Sequence, residues 1–233
     1  MSKSLLNNLS ARRISKPDRT SWDLFKLTHL VPRGQGICLD LGCGPGAAVA
    51  IRALGYKYLG VDSARVPAVT IFADAHHLPF ASNSVELVLA ASSFEHFSDP
   101  FAVARELHRI LKPSGIVVAS LSFLEPYHAH SYYHMSHLGA RKLFEDCGFK
   151  VLALEPFEWT GIEASVYMLF RLRVLRWLTA LWLKPVLWLR VLLIRFIIRR
   201  LRDTEKKARA EEFLQEEPFR FTAGIKIKVI KDG

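Results

Sequence analysis

Ile37-Cys-Leu-Asp-Leu-Gly-Cys-Gly-Pro-Gly46 decides how this chain is read. Ile37 to Leu41 is a short apolar run, the pattern of a strand covered on both faces. Three glycines at alternate positions follow, and Pro45 to Leu54 then has helical spacing that Gly55 ends. A strand, a glycine turn and a helix in that order open a parallel sheet with crossover helices. Glycines let the backbone approach a ligand and take positive φ, and the helix start presents unpaired N–H groups. A glycine turn alone is weak evidence for a site, and what lies downstream strengthens it.

Outward from that stretch, Lys57 to Val61 reads as a second strand and Val69 to Phe72 as a short third. Glu86 to Ala91 is nearly all apolar, as a central strand should be. Asp99-Pro100 opens a helix to Leu111, with Asp at the cap and Pro in the first turn. Lys112-Pro-Ser-Gly115 is a turn into a fifth strand, Ile116 to Leu121. A helix over His137 to Cys147 stops at Gly148, Phe149 to Leu154 is a sixth strand, and Gly224 to Ile230 alternates as a half-buried last one. A first helix is expected near Ser21 to Leu30. Asp62 ends the second strand about twenty residues past the glycines, where a carboxylate can accept two ribose hydroxyls. Asp74 ends the third.

These residues resemble the class I S-adenosylmethionine-dependent methyltransferases, in particular the small-molecule group. The resemblance rests on Leu39-Asp-Leu-Gly-Cys-Gly-Pro-Gly46, Gly60-Val-Asp62, Ala73-Asp-Ala75 with Leu78-Pro-Phe80, and Ser84-Val-Glu-Leu-Val88. It continues through Ser93-Phe-Glu-His-Phe-Ser-Asp-Pro100 and Glu106-Leu-His-Arg-Ile-Leu-Lys-Pro-Ser-Gly115, covering about residues 36 to 155. It implies a Rossmann-like α/β doubly wound sheet of seven strands, the last antiparallel, and S-adenosyl-L-methionine as cofactor. By resemblance, Asp40, Gly42, Cys43 and Gly44 hold the methionine end, Asp62 and Ser63 the ribose, Asp74 and the backbone of Ala75 the adenine, and Ser92 lies beside the methionine tail. A nicotinamide site would want Gly-x-Gly-x-x-Gly, whereas this loop is Gly-x-Gly-x-Gly.

Methyl transfer from a sulfonium mainly needs alignment in a dry pocket, and a base only where the acceptor must lose a proton. His128, His130, His134 and His137 follow the fifth strand, at the edge where an open sheet binds ligands. His134 or His130 is the candidate base of an O-methyltransferase, and pocket lining is the plainer alternative. His96 is expected to position groups near the cofactor, and His76, His77 and His108 to be structural or surface residues. No metal is expected, because these histidines lack flanking carboxylates and a recognisable ligand spacing.

The 233 residues carry a net charge of +10. Between Arg171 and Arg209 stand twelve Lys or Arg against Asp203 and Glu205, so this stretch holds the whole excess. It belongs to a separation of about seventy residues between Leu154 and Gly224, far longer than an ordinary loop. Residues 1–35 are therefore read as an N-terminal segment and 36–233 as the catalytic domain, including a basic amphipathic helical insertion at 156–222. Ile162 to Arg209 reads as helix broken at Pro185. Arg199, Arg202, Lys206 and Arg209 form a charged stripe opposite Leu193, Ile194, Ile197, Ile198 and Leu201. Arg176, Lys184, Arg190 and Arg195 interrupt every window long enough to cross a bilayer. Basic and apolar residues together suit an anionic membrane surface better than nucleic acid. An RNA methyltransferase is further disfavoured because Ala-Ser-Ser-Phe94 stands where an Asn/Asp-Pro-Pro-aromatic tetrad would be.

The expectation is a methyltransferase acting on a small or lipid-linked acceptor (a glycan, a quinone precursor or another lipid) at a membrane surface. A soluble enzyme whose insertion is a substrate lid or homodimer interface is the alternative, and a binding module without turnover a third reading. Three cysteines without a disulfide pattern suit a reducing compartment, so the expected place is cytoplasmic, peripheral on the inner face of a membrane. The basic, Ser-containing start resembles an organellar transit sequence in composition only.

Overall fold

The structure, a computed structural model, describes residues 27, 29–170, 173–201 and 203–232. The N-terminal stretch compared with a transit sequence and most of the expected first helix lie outside them. Seven strands form one sheet in the order β3-β2-β1-β4-β5-β7-β6. They are β1 (Ile37–Leu41), β2 (Lys57–Asp62), β3 (Ile71–Phe72), β4 (Val85–Ala91), β5 (Leu111–Ser122), β6 (Phe149–Pro156) and β7 (Gly224–Lys231). β7 runs antiparallel to both its neighbours, β5 and β6, and the pairs among β1 to β5 are parallel. The expected fold is the one present.

Strand alternation divides the core. Leu39, Leu41, Val88, Ala90, Val117 and Ala119 face a cluster closed by α2 (Pro100–Ile110) and α3 (His137–Glu145). Cys38, Leu87, Leu89 and Val118 face the other side, under Leu27, Leu30 and Ile51 of α1 (Ala48–Ala53). Both faces are buried, so the central strands are apolar throughout, as a doubly wound sheet requires. Asp99 caps α2 by accepting from the Ala102 amide at 2.9 Å.

Several boundaries differ from expectation. α1 begins at Ala48 and not at Pro45, leaving the glycine loop longer. Lys112 to Gly115 is no turn before β5 but an irregularity inside it: the pairing steps from Val85↔Leu111 to Leu87↔Ile116, with Ser114 at φ +61°. Among its described residues the insertion holds four helices, α4 (Gly161–Phe170), α5 (Arg173–Arg200), α6 (Thr204–Gln215) and α7 (Glu217–Arg220). α5 continues through Pro185, which removes one backbone donor without ending the helix. The charged stripe is not continuous either. α5 stops at Arg200, Asp203 caps a new helix through the amides of Glu205 and Lys206, and Arg202 lies outside the described residues. Leu193 and Ile197 are exposed while Ile198 is buried, so the five apolar positions do not share one face. The insertion's ends lie side by side, joined by a Thr160↔Thr222 bridge and by the Ala223 amide on the Trp159 carbonyl. Among the described residues no helix is long and apolar enough to cross a membrane.

Candidate functional site

The carboxyl ends of β1, β2 and β4 open onto one cavity of about 470 Å³. Gly42, Asp62, Ser63, Asp74, Ala75, Ser92 and His96 line it, together with Ser93, Phe97, Tyr132 and His76. Asp40, Cys43 and Gly44 stand behind this wall, and His130 and His134 are not part of it. The distribution follows from the topology: apart from Tyr132, which the loop after β5 brings in, the lining residues lie at or past the ends of parallel strands.

Asp40 is buried at the end of β1 and accepts from the Ala47 amide at 3.1 Å and the Tyr58 hydroxyl at 2.8 Å. Burial pushes its carboxyl up to about 7, opposed by those two donors. Its place is that of a strut for the loop. Gly42 takes φ +65°, and a Cβ there would stand 2.6 Å from the Ser93 hydroxyl, so only glycine lets β4's end approach the loop. The amides of Gly42 and Cys43 both donate to the Val61 carbonyl, binding the loop to β2.

Asp62 extends that grip. Its Oδ2 accepts from the Gly44 amide at 3.1 Å and its Oδ1 from the Ala64 amide at 2.8 Å. Asp74 accepts at Oδ1 from the His76 amide at 3.0 Å and pairs with the His76 ring at 2.6 Å. Those contacts, the amide first, hold its carboxyl below the usual range. The other ring nitrogen of His76 accepts from the Asp99 amide at 3.3 Å, so the ring bridges Asp74 and the start of α2. His76 therefore belongs to the cavity wall and not to the surface, a role signalled in the sequence by Asp74 two positions earlier.

Ser92 sits at φ +48°, its amide donating to the Ser120 hydroxyl at 2.9 Å. Beyond it, Glu95 is buried in the turn Phe94–His96, and burial raises its carboxyl to about 7 against a hydrogen bond from Ser122. The loop after β5 folds over this turn, with the amides of Tyr132 and Tyr133 donating to the Glu95 carbonyl. That contact brings His96 and His128 together, rings edge to face at 5.4 Å, and His128 and His134 at 5.9 Å. Burial and then the His128 charge lower the His96 pKa. Glu95 was legible only as a motif position, since nothing local announces that a charged residue in Phe-Glu-His is the buried one.

The cavity fits a nucleoside with a charged amino-acid tail. It has carboxylates at two strand ends for hydroxyl or amine donors, hydroxyls at Ser63, Ser92 and Ser93, and a loop whose Gly44 has no atom within 4 Å of where a Cβ would be.

Residues 39–119 match the family model described as a methyltransferase domain. The chain is 31% identical over 197 residues to an uncharacterized methyltransferase of Mycobacterium tuberculosis, covering 71% of this chain and 76% of that protein. Over the same length it is 29% identical to one from Mycobacterium leprae, covering 71% and 72%. In fold it is similar to an S-adenosylmethionine-dependent methyltransferase from Mesorhizobium loti, with a TM-score of 0.54, 16% identity and coverage of 92% and 99%. Haemonchus contortus phosphoethanolamine N-methyltransferase 2, solved with S-adenosyl-L-methionine, gives a TM-score of 0.56 at 16% identity, covering 91% of this chain and 53% of that one.

Proposed function

Because this chain belongs to the class I S-adenosylmethionine-dependent methyltransferases, we propose that it methylates a small or lipid-linked acceptor at an anionic membrane surface. It is a methyltransferase with S-adenosyl-L-methionine as its cofactor. We assign Gly42, Ser92 and the loop braced by Asp40, Cys43 and Gly44 to the methionine end, Asp62 and Ser63 to the ribose, and Asp74 with Ala75 to the adenine. Bound cofactor supplies a methyl group on a cationic sulfur. The chain's task is to hold an acceptor in line with it and keep water out.

One observation carries the membrane reading: α5 turns a large apolar surface, studded with cations, toward solvent. Trp177, Trp182, Trp188, Leu189, Leu193, Phe196 and Ile197 are exposed, and Lys184, Arg195, Arg199 and Arg200 stand among them. A patch of that size on a soluble domain marks a contact surface, and its mixture of Trp and basic residues suits headgroups over acyl chains. β6 is parallel to β1–β5 and ends at the cavity's edge of the sheet, so the insertion leaves from the active-site side. Beside its ends, a second cavity of about 390 Å³ is walled by Phe157, Trp159, Leu187 and Trp188, with Lys184 and Arg195 balanced by Glu158 and Glu217. Such a wall suits an apolar chain with a polar head, and a glycan lipid, quinone precursor or fatty-acyl acceptor satisfies that description. The corresponding location is cytoplasmic, peripheral on the inner face of a membrane.

The second reading, a soluble O-methyltransferase with the insertion as lid or homodimer interface, draws on a different contact. His137, at the start of α3, stacks on Phe219 of α7 at 4.6 Å, linking the insertion's return to the histidine loop. Sedimentation with vesicles of neutral phospholipid, with and without anionic phospholipid, across a salt series separates the two. Membrane attachment predicts binding that needs anionic lipid, weakens with salt and persists in part at high salt through the apolar term. No binding at low salt leaves the lid or dimer.

A further inference from the structure

Two buried polar atoms near the cavity, Glu95 Oε2 and His96 Nδ1, have no hydrogen-bond partner. Orphaned groups of this kind are rare in native proteins and call for a physical reason. Glu95 is only 1% exposed, so bulk solvent does not reach it. The two residues are consecutive in the Phe94–His96 turn, and the loop after β5 brings His128 against them. One ligand atom from each of Glu95, His96 and His128 lies within 4.8 Å of the other two.

We propose that Glu95, His96 and His128 form a site for a divalent transition metal, with Zn2+ the best match to two imidazoles and one carboxylate. The proposal goes beyond the membrane reading and does not depend on it. Two histidines and one carboxylate are a frequent set for zinc, and three protein ligands leave a coordination position open. The supporting contacts are of the kind metal sites use. His128 Nδ1 donates to the Pro126 carbonyl at 2.9 Å, leaving Nε2 with its lone pair. The His96 ring is held by a backbone hydrogen bond at His130, and Nδ1 is its unpartnered nitrogen. Glu95 Oε1 is held by the Ser122 hydroxyl at 2.9 Å, which turns the carboxylate so that Oε2 is the atom without a partner. Ligand atoms around a tetrahedral zinc stand about 3.3 Å apart, so the triad contracts modestly on binding. His96 also lines the cavity, so the triad lies beside the site assigned to the cofactor, and an oxygen donor is the ligand class that would complete three such protein ligands.

The test is equilibrium dialysis of the purified full chain, stripped with chelator, against Zn2+, with Co2+ as a spectroscopic probe. One tight equivalent is expected, and visible Co2+ bands of a low-coordinate nitrogen-oxygen site. Glu95→Gln and His128→Ala should each abolish the tight equivalent or weaken it by at least the roughly 10- to 100-fold that an outer-shell partner costs. His77→Ala, outside the triad, should keep it. Circular dichroism and binding of S-adenosylhomocysteine identify folded variants, and if Glu95→Gln does not fold, the His128 loop variant decides. Absence of a tight equivalent in the native chain overturns the proposal, as does an undiminished equivalent in either folded variant.

Discussion

Asp62 Oδ2 accepts a hydrogen bond from the Gly44 amide at 3.1 Å, so the end of β2 grips the glycine loop that leaves β1. The same carboxylate therefore has two tasks. It keeps the loop at the distance at which a nucleoside fits between the strands, and it presents lone pairs at the place assigned to ribose.

Asp62→Ala should remove both at once. A hydrogen bond to a charged acceptor contributes roughly 1.5 to 3 kcal/mol, so losing even one ribose contact weakens cofactor binding by more than about 10-fold. Asp62→Asn keeps an acceptor for the Gly44 amide and should fall between native and Ala. Calorimetry with S-adenosylhomocysteine measures this, and native affinity in the Ala variant removes Asp62 from the site.

Asp40 makes a prediction about pH. Burial raises its folded carboxyl to about 7, against an ordinary carboxyl value of 3.8. The folded state thus binds the proton more tightly than the unfolded chain, and this group's contribution is complete below about pH 4 and lost as pH rises through 7. Asp40→Asn preserves an oxygen for the Ala47 amide and Tyr58 hydroxyl without the charge. Denaturant unfolding from pH 4 to 8 should give a smaller decline in stability with pH for the variant, and equal slopes would show that Asp40 is already ionised throughout.

The sheet was legible because its central strands are buried on both faces and its turns are marked by glycine. Gly55 and Gly148 take φ of +102° and +84°, which side chains rarely adopt, so they announce ends of helices. Asp40, Asp62 and Asp74 were legible as acids at strand ends. What they bind within the chain was not, since Asp40 meets Tyr58 and Asp62 meets Gly44 only after β1 and β2 pair. Glu95 and His128 are farther apart still, and their approach depends on amides of Tyr132 and Tyr133 folding onto the Glu95 carbonyl. Helix ends in the insertion were misread for a local reason: periodicity cannot distinguish one long stripe from two helices joined at an Asp203 cap.

For proton abstraction, the expectation falls on His134. Its Nε2 lies 3.1 Å from the Ser131 hydroxyl, and its ring approaches His128 in the loop over the cavity. His134→Gln should leave S-adenosylhomocysteine affinity unchanged and cut turnover by about 100-fold. His130→Ala should change turnover little, because His130 is exposed. Single-turnover assays with a hydroxylated acceptor distinguish the two, and native rates in both variants remove His134 and His130 as the base.

Trp182 and Trp188 test the membrane reading most directly, because salt does not screen what they contribute. They are 78% and 64% exposed, about one and two-thirds helical turns apart in α5, with Lys184 and Arg195 nearby in sequence. A tryptophan carries roughly 200 Å² of apolar surface. Inserting half of that at about 25 cal/mol per Å² gives about 2.5 kcal/mol per ring, a factor of roughly 70 in partitioning. Arg195 and Arg199 each add about 1 kcal/mol near an anionic surface, a term that declines with ionic strength. Trp182→Ser with Trp188→Ser should therefore lower vesicle binding at every salt concentration and abolish the part that survives high salt. Arg195→Gln with Arg199→Gln should lower binding at low salt and leave that surviving part intact. Both pairs lie away from the cofactor cavity, so S-adenosylhomocysteine affinity should match the native chain in each. If the tryptophan pair binds vesicles as the native chain does, the apolar face is not in the bilayer. A loss of self-association in the same variant would then assign α5 to a homodimer.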